Sequence, residues 1–340
     1  MNRIDSHKLM FHNERVLSWK NGYHIYPVYI EMSPTSLCNY KCSFCALDFI
    51  KRGKSICLDS AKKSIDEMAK LGVKSIMFAG EGEPLLNPAF IGMSFYAKTQ
   101  GIDIALTTNG SMLTSDVSYE LLPIMSWIKI SFNSIVPSTF SKVSGLDIKA
   151  GKRILAQTVI NIYDAIEIRN KMKHSCNIGV QMLALEENAM DVEFTALMMK
   201  ELGVDYFVIK QYSQHPASLH ECKKSSFSFN FCKYLEDKNF KIIIRDELIE
   251  KNYDKCHALS FWSYIASDGN VWACSAHMPD ERFIMGNIYK QEMKDIWSKV
   301  NYERVQSSID INQCRIGCRM DKCNRYLHEI VHPSKHVNFV

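Results

Sequence analysis

The stretch Cys38-Asn39-Tyr40-Lys41-Cys42-Ser43-Phe44-Cys45 places three cysteines within eight residues. Gaps of three and two residues allow one tight loop to direct three thiolates at a common centre, which suits an inorganic cluster better than a disulfide. Three thiolates hold three corners of a four-iron, four-sulfur cube and leave the fourth iron open to another ligand. The sequence therefore predicts an iron–sulfur site at this loop.

Two other interpretations of the loop stay open on the residues alone. A structural zinc site requires four ligands, usually as two Cys-x-x-Cys pairs, whereas the next thiol, Cys57, follows twelve residues after Cys45 with no matching partner. Three unrelated buried cysteines are the second interpretation, although chance rarely packs them so closely. Neither of these would leave a coordination position open.

In this pattern the chain resembles the radical S-adenosylmethionine (SAM) superfamily, whose hallmark is Cys-x-x-x-Cys-x-aromatic-Cys, with Phe44 in the aromatic position. The resemblance implies that Cys38, Cys42 and Cys45 hold a [4Fe-4S] cluster and that Phe44 packs near the adenine of SAM. The open iron would bind the amino and carboxylate groups of SAM. One electron from the cluster would then cleave the sulfonium to methionine and a 5′-deoxyadenosyl radical, which takes a hydrogen atom from a substrate.

Length and composition set the broad class of the protein. A chain of 340 residues, 46% of them hydrophobic, can form one large domain and a smaller one. A net charge of +4 with scattered Lys and Arg does not call for nucleic acid as a partner. The first seven residues lack the apolar core of a signal peptide, and no apolar run approaches the roughly 20 residues of a membrane span. We therefore expect a cytoplasmic protein without a membrane partner, in which twelve cysteines favour metal binding or catalysis over disulfides.

Short apolar strands alternate with helical segments from residue 25 to residue 220. The predicted strands cover residues 26–32, 75–79, 102–107, 127–132, 176–183 and 206–210. The predicted helices cover residues 60–71, 88–100, 115–122, 150–171 and 189–202. Six β/α units of this kind predict an α/β fold with a parallel sheet covered by helices. The resemblance makes it a partial (β/α)6 TIM-like barrel of the radical SAM type.

A glycine-rich segment follows the second predicted strand, Gly80-Glu81-Gly82-Glu83-Pro84. It would serve equally as an ordinary turn between strand and helix. Beside the cysteine loop, it resembles the "GGE" element of the superfamily. The resemblance implies that Gly80 and Gly82 let the backbone approach the methionine end of SAM and that Glu83 accepts a hydrogen bond from its ammonium group. Glu81 departs from the family pattern, which leaves open which carboxylate has this role.

The other predicted strands also carry polar residues at their carboxyl ends, where reacting groups of such sheets and barrels lie. The resemblance implies SAM contacts for five of them, Thr107, Asn109, Ser131, Asn133 and Gln181, although Thr107 and Asn109 would also suit a capped turn. Lys210 and His215 follow the sixth strand and are candidate catalytic residues on the substrate side, because a substrate must lie in the barrel mouth. A solvated lysine and a loop-shaping His-Pro pair are the alternative interpretations.

A second cysteine group lies near the end of the chain. Cys256 and Cys274 frame the pattern Cys-x12-Gly-x4-Cys, in which residues 268–270 are typical of a hairpin turn between strands at 261–265 and 271–273. Buried thiols or a zinc site would also explain the group. It resembles the SPASM and twitch extensions of radical SAM enzymes, which implies an auxiliary cluster. Five cysteines complete only one such cluster, for which we select Cys256, Cys274, Cys314 and Cys318, and leave Cys323 as the spare because residues 321–330 look helical.

These patterns divide the chain into four parts: an N-terminal extension (1–24), a radical SAM core domain (25–220), a connector (221–250) with a strand at 241–244, and a small α+β SPASM/twitch-like cluster-binding domain with the C-terminal tail (251–340). The implied cofactors are SAM and two [4Fe-4S] clusters, one binding SAM and one auxiliary. The implied partners are a small-molecule substrate and a reductant such as flavodoxin or ferredoxin.

The predicted function is that of a radical SAM oxidoreductase or epimerase. About 25 residues precede the barrel, where peptide-modifying relatives commonly carry a peptide-binding domain of some eighty residues. We therefore expect a small polar metabolite as substrate: a sugar, an aminocyclitol or a nucleotide sugar. Oxidation would use the auxiliary cluster as electron acceptor, whereas epimerisation would require a hydrogen-atom donor. A peptide- or protein-modifying maturase is the alternative, and a non-catalytic iron–sulfur or zinc-binding protein is the hypothesis of a different class.

Overall fold

The strands of the barrel lie within three residues of their predicted bounds. The structure is a computed structural model that describes residues 7–245, 250–315 and 317–339, so the first six residues of the predicted extension and residues 246–249 of the connector lie outside the described residues. The strands are β1 (Tyr29–Met32), β2 (Ser75–Phe78), β3 (Asp103–Thr108), β4 (Met125–Ser131), β5 (Asn177–Ala184), β6 (Tyr206–Gln211) and β7 (Lys241–Arg245).

The helices that follow β1 cover one face of this sheet, whereas the helix before β1 packs in a separate cluster with Leu327. They are α1 (Asn13–Lys20), α2 (Leu58–Lys70), α3 (Phe90–Thr99), α4 (Ser115–Leu121), α5 (Pro137–Ser144), α6 (Ile148–Met172) and α7 (Val192–Leu202). Helix α5 was not predicted; it starts at a proline and is followed by Gly145, where φ is +65°. Among the described residues, no helix combines the length and hydropathy that a membrane span requires.

Strands β1 to β7 are neighbours in chain order and run parallel, which confirms the partial barrel. Successive residues of a strand face opposite sides of a sheet. On β4, Ile128 and Ile130 are fully buried in the core under the helices. Trp127, Lys129 and Ser131 therefore face the other side, the lumen of the barrel.

The C-terminal part continues the same sheet. It contains β8 (Trp262–Ile265), β9 (Asn270–Trp272), β10 (Ile284–Asn287), α8 (Met293–Ile296), α9 (Lys299–Ser308) and α10 (Asp321–Val331). The predicted hairpin between β8 and β9 is confirmed, with Gly269 at φ +84° in its turn. Unexpectedly, β8 pairs in parallel with β1, so the sheet order among the described strands is β10-β9-β8-β1-β2-β3-β4-β5-β6-β7. The domain boundaries at residues 24, 220 and 250 stay a prediction.

Candidate functional site

The three-cysteine loop leaves the carboxyl end of β1 and packs against the end of α5. The backbone N–H of Lys41 donates to the Ser144 carbonyl at 3.0 Å, and that of Ser43 donates to the Val143 carbonyl at 3.0 Å. A Cβ on Gly145 would stand 2.1 Å from the Lys41 carbonyl oxygen, so only glycine fits where helix and loop meet. The path of the loop is therefore fixed by backbone contacts on both sides of Cys42.

The thiols of this loop fit a cluster with one open iron. Cys38, Cys42 and Cys45 are all free. Burial, followed by the neighbouring charges of Cys38 and Cys45, raises the pKa of Cys42 to about 12. Asn133 Nδ2 lies 3.9 Å from the sulfur of Cys42, and Arg52 Nη2 lies 3.6 Å from that of Cys45. The negative charges of three neighbouring thiolates require bound cations, and the iron ions of a cluster supply the positive charge.

The glycine-rich segment packs tightly on the chain just before the cysteine loop. A Cβ on Gly82 would lie 2.1 Å from the Leu37 carbonyl oxygen, and one on Gly80, at φ +131°, would lie 2.5 Å from the Tyr264 hydroxyl. These positions require glycine because the chain approaches itself closely there. The predicted approach of the segment to SAM stays a prediction.

The two carboxylates of this segment bind different parts of the molecule. Glu83 is buried and accepts hydrogen bonds from Thr108 Oγ1 at 2.7 Å and from the Asn109 N–H at 2.6 Å, at the end of β3. Glu81 is also buried and accepts from the Ser267 N–H at 2.7 Å, in the turn between β8 and β9. Burial raises the pKa of both carboxyl groups. Glu83 thus joins two strand ends of the barrel, while Glu81 joins the barrel to the C-terminal domain.

The predicted SAM residues at the next strand ends lie around the cysteine loop. Asn109 Nδ2 donates to Asn39 Oδ1 inside the loop at 2.7 Å. Asn133 is buried, and its amide donates to Ser144 Oγ at 2.8 Å as well as pointing at Cys42. Both amides therefore contact the loop that carries the cysteines. Their predicted contact with SAM stays a prediction.

The remaining predicted SAM residues divide between the lumen and the rim of the barrel. Thr107 Oγ1 lies 3.7 Å from Met77 Sδ in the lumen. Ser131 and Gln181 are partners in the register of β4 and β5, so their side chains lie on the same face of the sheet. Phe44 is half-buried and packs with a cluster that includes Tyr212 at the end of β6. A role for each in holding SAM remains a prediction.

The two candidate residues on the substrate side occupy different surroundings. Lys210 is half-buried on β6, directly opposite Arg245 in the register with β7. His215 is only 2% exposed, and its Nε2 lies 3.0 Å from the Ser275 carbonyl oxygen in the C-terminal domain. Its ring packs 5.2 Å from that of Phe49. Lys210 thus faces the lumen, whereas His215 joins the loop after β6 to the C-terminal domain, and a catalytic role of either stays a prediction.

The loop after β6 is hydrogen-bonded to the segment that follows the cysteine loop. Asp48 accepts hydrogen bonds from Ser218 Oγ at 3.0 Å, from the Leu219 N–H at 2.9 Å and from the His220 N–H at 3.0 Å. These bonds keep the pKa of the Asp48 carboxyl low despite its partial burial. The loop therefore joins the carboxyl ends of β6 and β1, the outer strands of the predicted six-unit barrel.

A second group of free thiols lines one cavity in the C-terminal domain. The four selected cysteines, Cys256, Cys274, Cys314 and Cys318, all line it, whereas Cys323 is not among its lining residues. Burial and the charges of the neighbouring thiols raise the pKa of Cys256 to about 12. Four cysteine ligands around one space match the donor set of a [4Fe-4S] cluster without an open iron.

Positively charged side chains link this cavity to the barrel. Arg319 forms an ion pair with the buried Glu31 of β1, and Arg315 donates to the Ser213 carbonyl after β6. Lys210, which enters the lumen, also lines the cavity of the four thiols. The sequence analysis missed these arginines and Lys129, although a lysine in the middle of an apolar strand was a visible signal.

Comparison with known proteins agrees with this geometry. The family model of the radical SAM superfamily matches residues 32–199, and that of the SPASM iron–sulfur cluster-binding domain matches residues 256–324. The chain belongs to the radical SAM superfamily. As a radical SAM enzyme with a SPASM domain, it uses SAM, one SAM-binding cluster and one auxiliary [4Fe-4S] cluster.

Curated relatives of this radical SAM enzyme have varied activities. The tungsten-containing aldehyde ferredoxin oxidoreductase cofactor-modifying protein of Pyrococcus furiosus is 27% identical over 53% of this chain and 50% of its own length. The chain thus spans about half of that relative. The GTP 3′,8-cyclase of Aliarcobacter butzleri is 28% identical over 83% of this chain and 87% of its own length. These similarities support a radical SAM enzyme and do not single out an oxidoreductase or an epimerase.

Among solved structures, Streptococcus suis SuiB bound to SAM has a TM-score of 0.67 with 15% identity, covering 88% of this chain and 72% of that chain. SuiB bound to its precursor peptide SuiA has a TM-score of 0.63 with 15% identity, covering 90% of this chain and 74% of that chain. At this level of identity the likeness shows the fold alone.

Proposed function

We propose that this radical SAM enzyme takes a hydrogen atom from a small polar metabolite held in the barrel lumen, for oxidation or epimerisation. Cys38, Cys42 and Cys45 hold the SAM-binding cluster, and the four cavity thiols hold the auxiliary cluster. When bound, SAM and its cluster supply a hydrogen-abstracting 5′-deoxyadenosyl radical, and the auxiliary cluster supplies an electron acceptor. A flavodoxin or a ferredoxin provides the first electron.

The position of Lys210 is the observation that carries this proposal. Its side chain projects from β6 into the lumen and also lines the cavity of the four auxiliary thiols. A substrate that contacts Lys210 would therefore lie beside the auxiliary cluster site. Oxidation of an alcohol removes a hydrogen atom from carbon, then one electron and the hydroxyl proton. An acceptor beside the substrate favours this outcome over epimerisation, which returns a hydrogen atom instead.

The contacts around the barrel mouth favour a small substrate. The loop after β6 is fastened to Asp48 by three hydrogen-bond donors and to the C-terminal domain through His215 and Ser275. On the lumen side, Ser131, Gln181 and Lys210 accompany the apolar cluster of Tyr206, Val208 and Ile243. A few polar groups beside apolar ones suit a small hydrophilic metabolite.

A peptide-modifying maturase is the second candidate function. SuiB, which has a similar fold, has been solved with a precursor peptide bound. A peptide would have to displace the loop after β6 to bring a residue beside the adenosyl carbon. The hydrogen bonds that hold the loop after β6 therefore favour the metabolite, while the likeness to SuiB favours the peptide.

The first test measures the chemistry without knowing the substrate. We expect the anaerobically reconstituted protein to hold about eight iron atoms and, with dithionite and SAM, to release 5′-deoxyadenosine. The Cys42→Ala variant should release none and hold about four iron atoms. Cys57→Ala, which changes an exposed thiol outside both groups, serves as the matched control. Unchanged product release in Cys42→Ala would refute the cluster assignment.

The second test decides the substrate class. Candidate sugars and peptides with deuterium on carbon are incubated with the reduced enzyme, and the 5′-deoxyadenosine is analysed by mass spectrometry. We expect deuterium transfer from a polar metabolite and none from peptides. Transfer from a peptide alone would establish the maturase instead. Solvent-derived hydrogen on the product carbon would identify epimerisation, and a carbonyl product would identify oxidation.

A further inference from the structure

Three cationic residues lie on the lumen side of strands β4, β6 and β7. Lys129 faces the lumen because its neighbours on β4, Ile128 and Ile130, are fully buried on the opposite side. Lys210 on β6 is the register partner of Arg245 on β7, so these two share a face as well. On β7, Ile242 packs in the core under the helices, so the alternate position, Arg245, belongs to the lumen side.

The strand between the two lysines carries a glycine beside Lys129. Lys129 is the register partner of Gly179 on β5, which has no side chain. A Cβ at Gly179 would lie 2.1 Å from Cζ of Tyr206, so the tyrosine ring covers the strand there. The Lys129 ammonium lies 5.7 Å from the centre of the Trp127 ring. The rings of Trp127 and Tyr206 thus lie beside Lys129 on the lumen side of the sheet.

Within the described residues, no carboxylate forms an ion pair with Lys129 or Lys210. Glu31, the buried acid of β1, is already paired with Arg319. Burial and the charges of Arg245 and Lys210 lower the pKa of Lys129 to about 7. Burial and the charges of Arg315 and Arg245 lower the pKa of Lys210 to about 8. Lys129 and Lys210 therefore bring into the lumen positive charge that no described carboxylate pairs with and that a bound anion would neutralise.

We propose that a phosphoryl group of the substrate binds between Lys129, Lys210 and Arg245, so that the substrate is a phosphorylated small metabolite. This inference rests on the proposed function and narrows its substrate class. A phosphoryl group offers three acceptor oxygens and close to two negative charges, which match three cationic arms better than one carboxylate does. The loop that is hydrogen-bonded to Asp48 favours a small phosphorylated compound over an acidic peptide.

The test measures anion binding directly, with inorganic pyrophosphate as the probe. Calorimetry is performed anaerobically on the cluster-loaded enzyme with saturating SAM, so that the SAM carboxylate is already bound. We expect pyrophosphate to bind the wild type and to bind Lys129→Met and Lys210→Met at least about tenfold more weakly. Lys149→Met, which removes an exposed lysine of α6, should bind like the wild type. Lys129→Arg keeps the charge and should retain most of the affinity.

The outcomes separate this inference from the proposed function. Wild type that releases 5′-deoxyadenosine but does not bind pyrophosphate overturns the phosphoryl site and leaves the radical chemistry intact. Equal affinity in all the lysine variants also overturns it, and so does pyrophosphate binding that occurs only when SAM is omitted. If an acidic peptide competes with pyrophosphate, the small-metabolite part is wrong. Binding is measured without turnover, so an inactive preparation still tests the site, while absence of 5′-deoxyadenosine refutes the proposed function alone. Iron content and circular dichroism of each variant confirm that it is folded.

Discussion

Replacement of Gly82 by alanine should displace the cysteine loop. The added Cβ would lie 2.1 Å from the Leu37 carbonyl oxygen and 2.7 Å from both the Ser36 carbonyl carbon and the Thr35 carbonyl oxygen. All three contacts are with backbone, so no side chain can rotate away to relieve them. Leu37 directly precedes Cys38, the first thiol of the loop. A single methyl group therefore acts on the backbone that positions the cluster.

The size of the effect follows from these distances. Carbon and oxygen atoms of packed chains approach to about 3.3 Å, so the Leu37 carbonyl and Gly82 must separate by more than about 1 Å. Overpacking of this kind costs about 1–3 kcal/mol of unfolding free energy. A displacement of about 1 Å at reacting groups lowers the rate by about a hundredfold. We therefore expect a modest loss of stability and a large loss of SAM cleavage.

The assay compares Gly82→Ala with Gly92→Ala. An added Cβ at Gly92, in α3, meets only the side chain of Leu58, with the nearest atom at 3.2 Å, and this side chain can adjust. After anaerobic reconstitution, iron content, thermal midpoint and 5′-deoxyadenosine release are measured for both variants and the wild type. Gly92→Ala should behave like the wild type. Full iron content with wild-type product release in Gly82→Ala would refute the claim that this glycine sets the position of the loop.

Two further predictions concern the auxiliary thiols and the lumen. Cys323→Ala should retain about eight iron atoms per chain, whereas Cys318→Ala should retain about four, as measured by iron analysis and electron paramagnetic resonance. An equal loss of iron in both variants would show that Cys323 is also a ligand. Lys129 has a pKa of about 7 in the folded protein, below its unfolded value of 10.5, so the unfolded state binds more protons over that pH range. The free energy of unfolding should therefore rise by about 1–2 kcal/mol from pH 7 to pH 9, and the rise should be smaller in Lys129→Met; an equal rise in both would contradict the lowered pKa.

The sequence predicts the barrel well because local patterns determine it. Short apolar strands between helical segments place each predicted element of the barrel to within three residues, α5 being the one barrel helix not predicted, and short connections put successive strands side by side. The spacing of the three cysteines likewise predicts the cluster loop without tertiary information. The Gly269 hairpin follows from local turn chemistry in the same way.

The features missed by the sequence analysis depend on residues far apart in the chain. Glu81 was seen as a departure from a motif, but its partner Ser267 lies 186 residues away. The parallel pairing of β1 with β8 has no local signature, because the sequence of β8 predicts only the first strand of a hairpin and not its second neighbour. The position of Lys129 could have been predicted, because a lysine among apolar strand residues must face either solvent or a polar lumen. Only the register of the sheet shows that Lys210 and Arg245 share that lumen.

The pairing of β8 with β1 also affects the order in which the protein can be assembled. The backbone N–H of Ser33, a few residues before the first cysteine, donates to the carbonyl of Ile265 at 2.8 Å. During synthesis, β1 therefore has no partner on this side until Ile265 has left the ribosome. Until then β1 is paired only with β2, so the strand that leads into the cysteine loop has one open edge. A nascent chain that stalls before Ile265 therefore exposes this unpaired sheet edge to its neighbours.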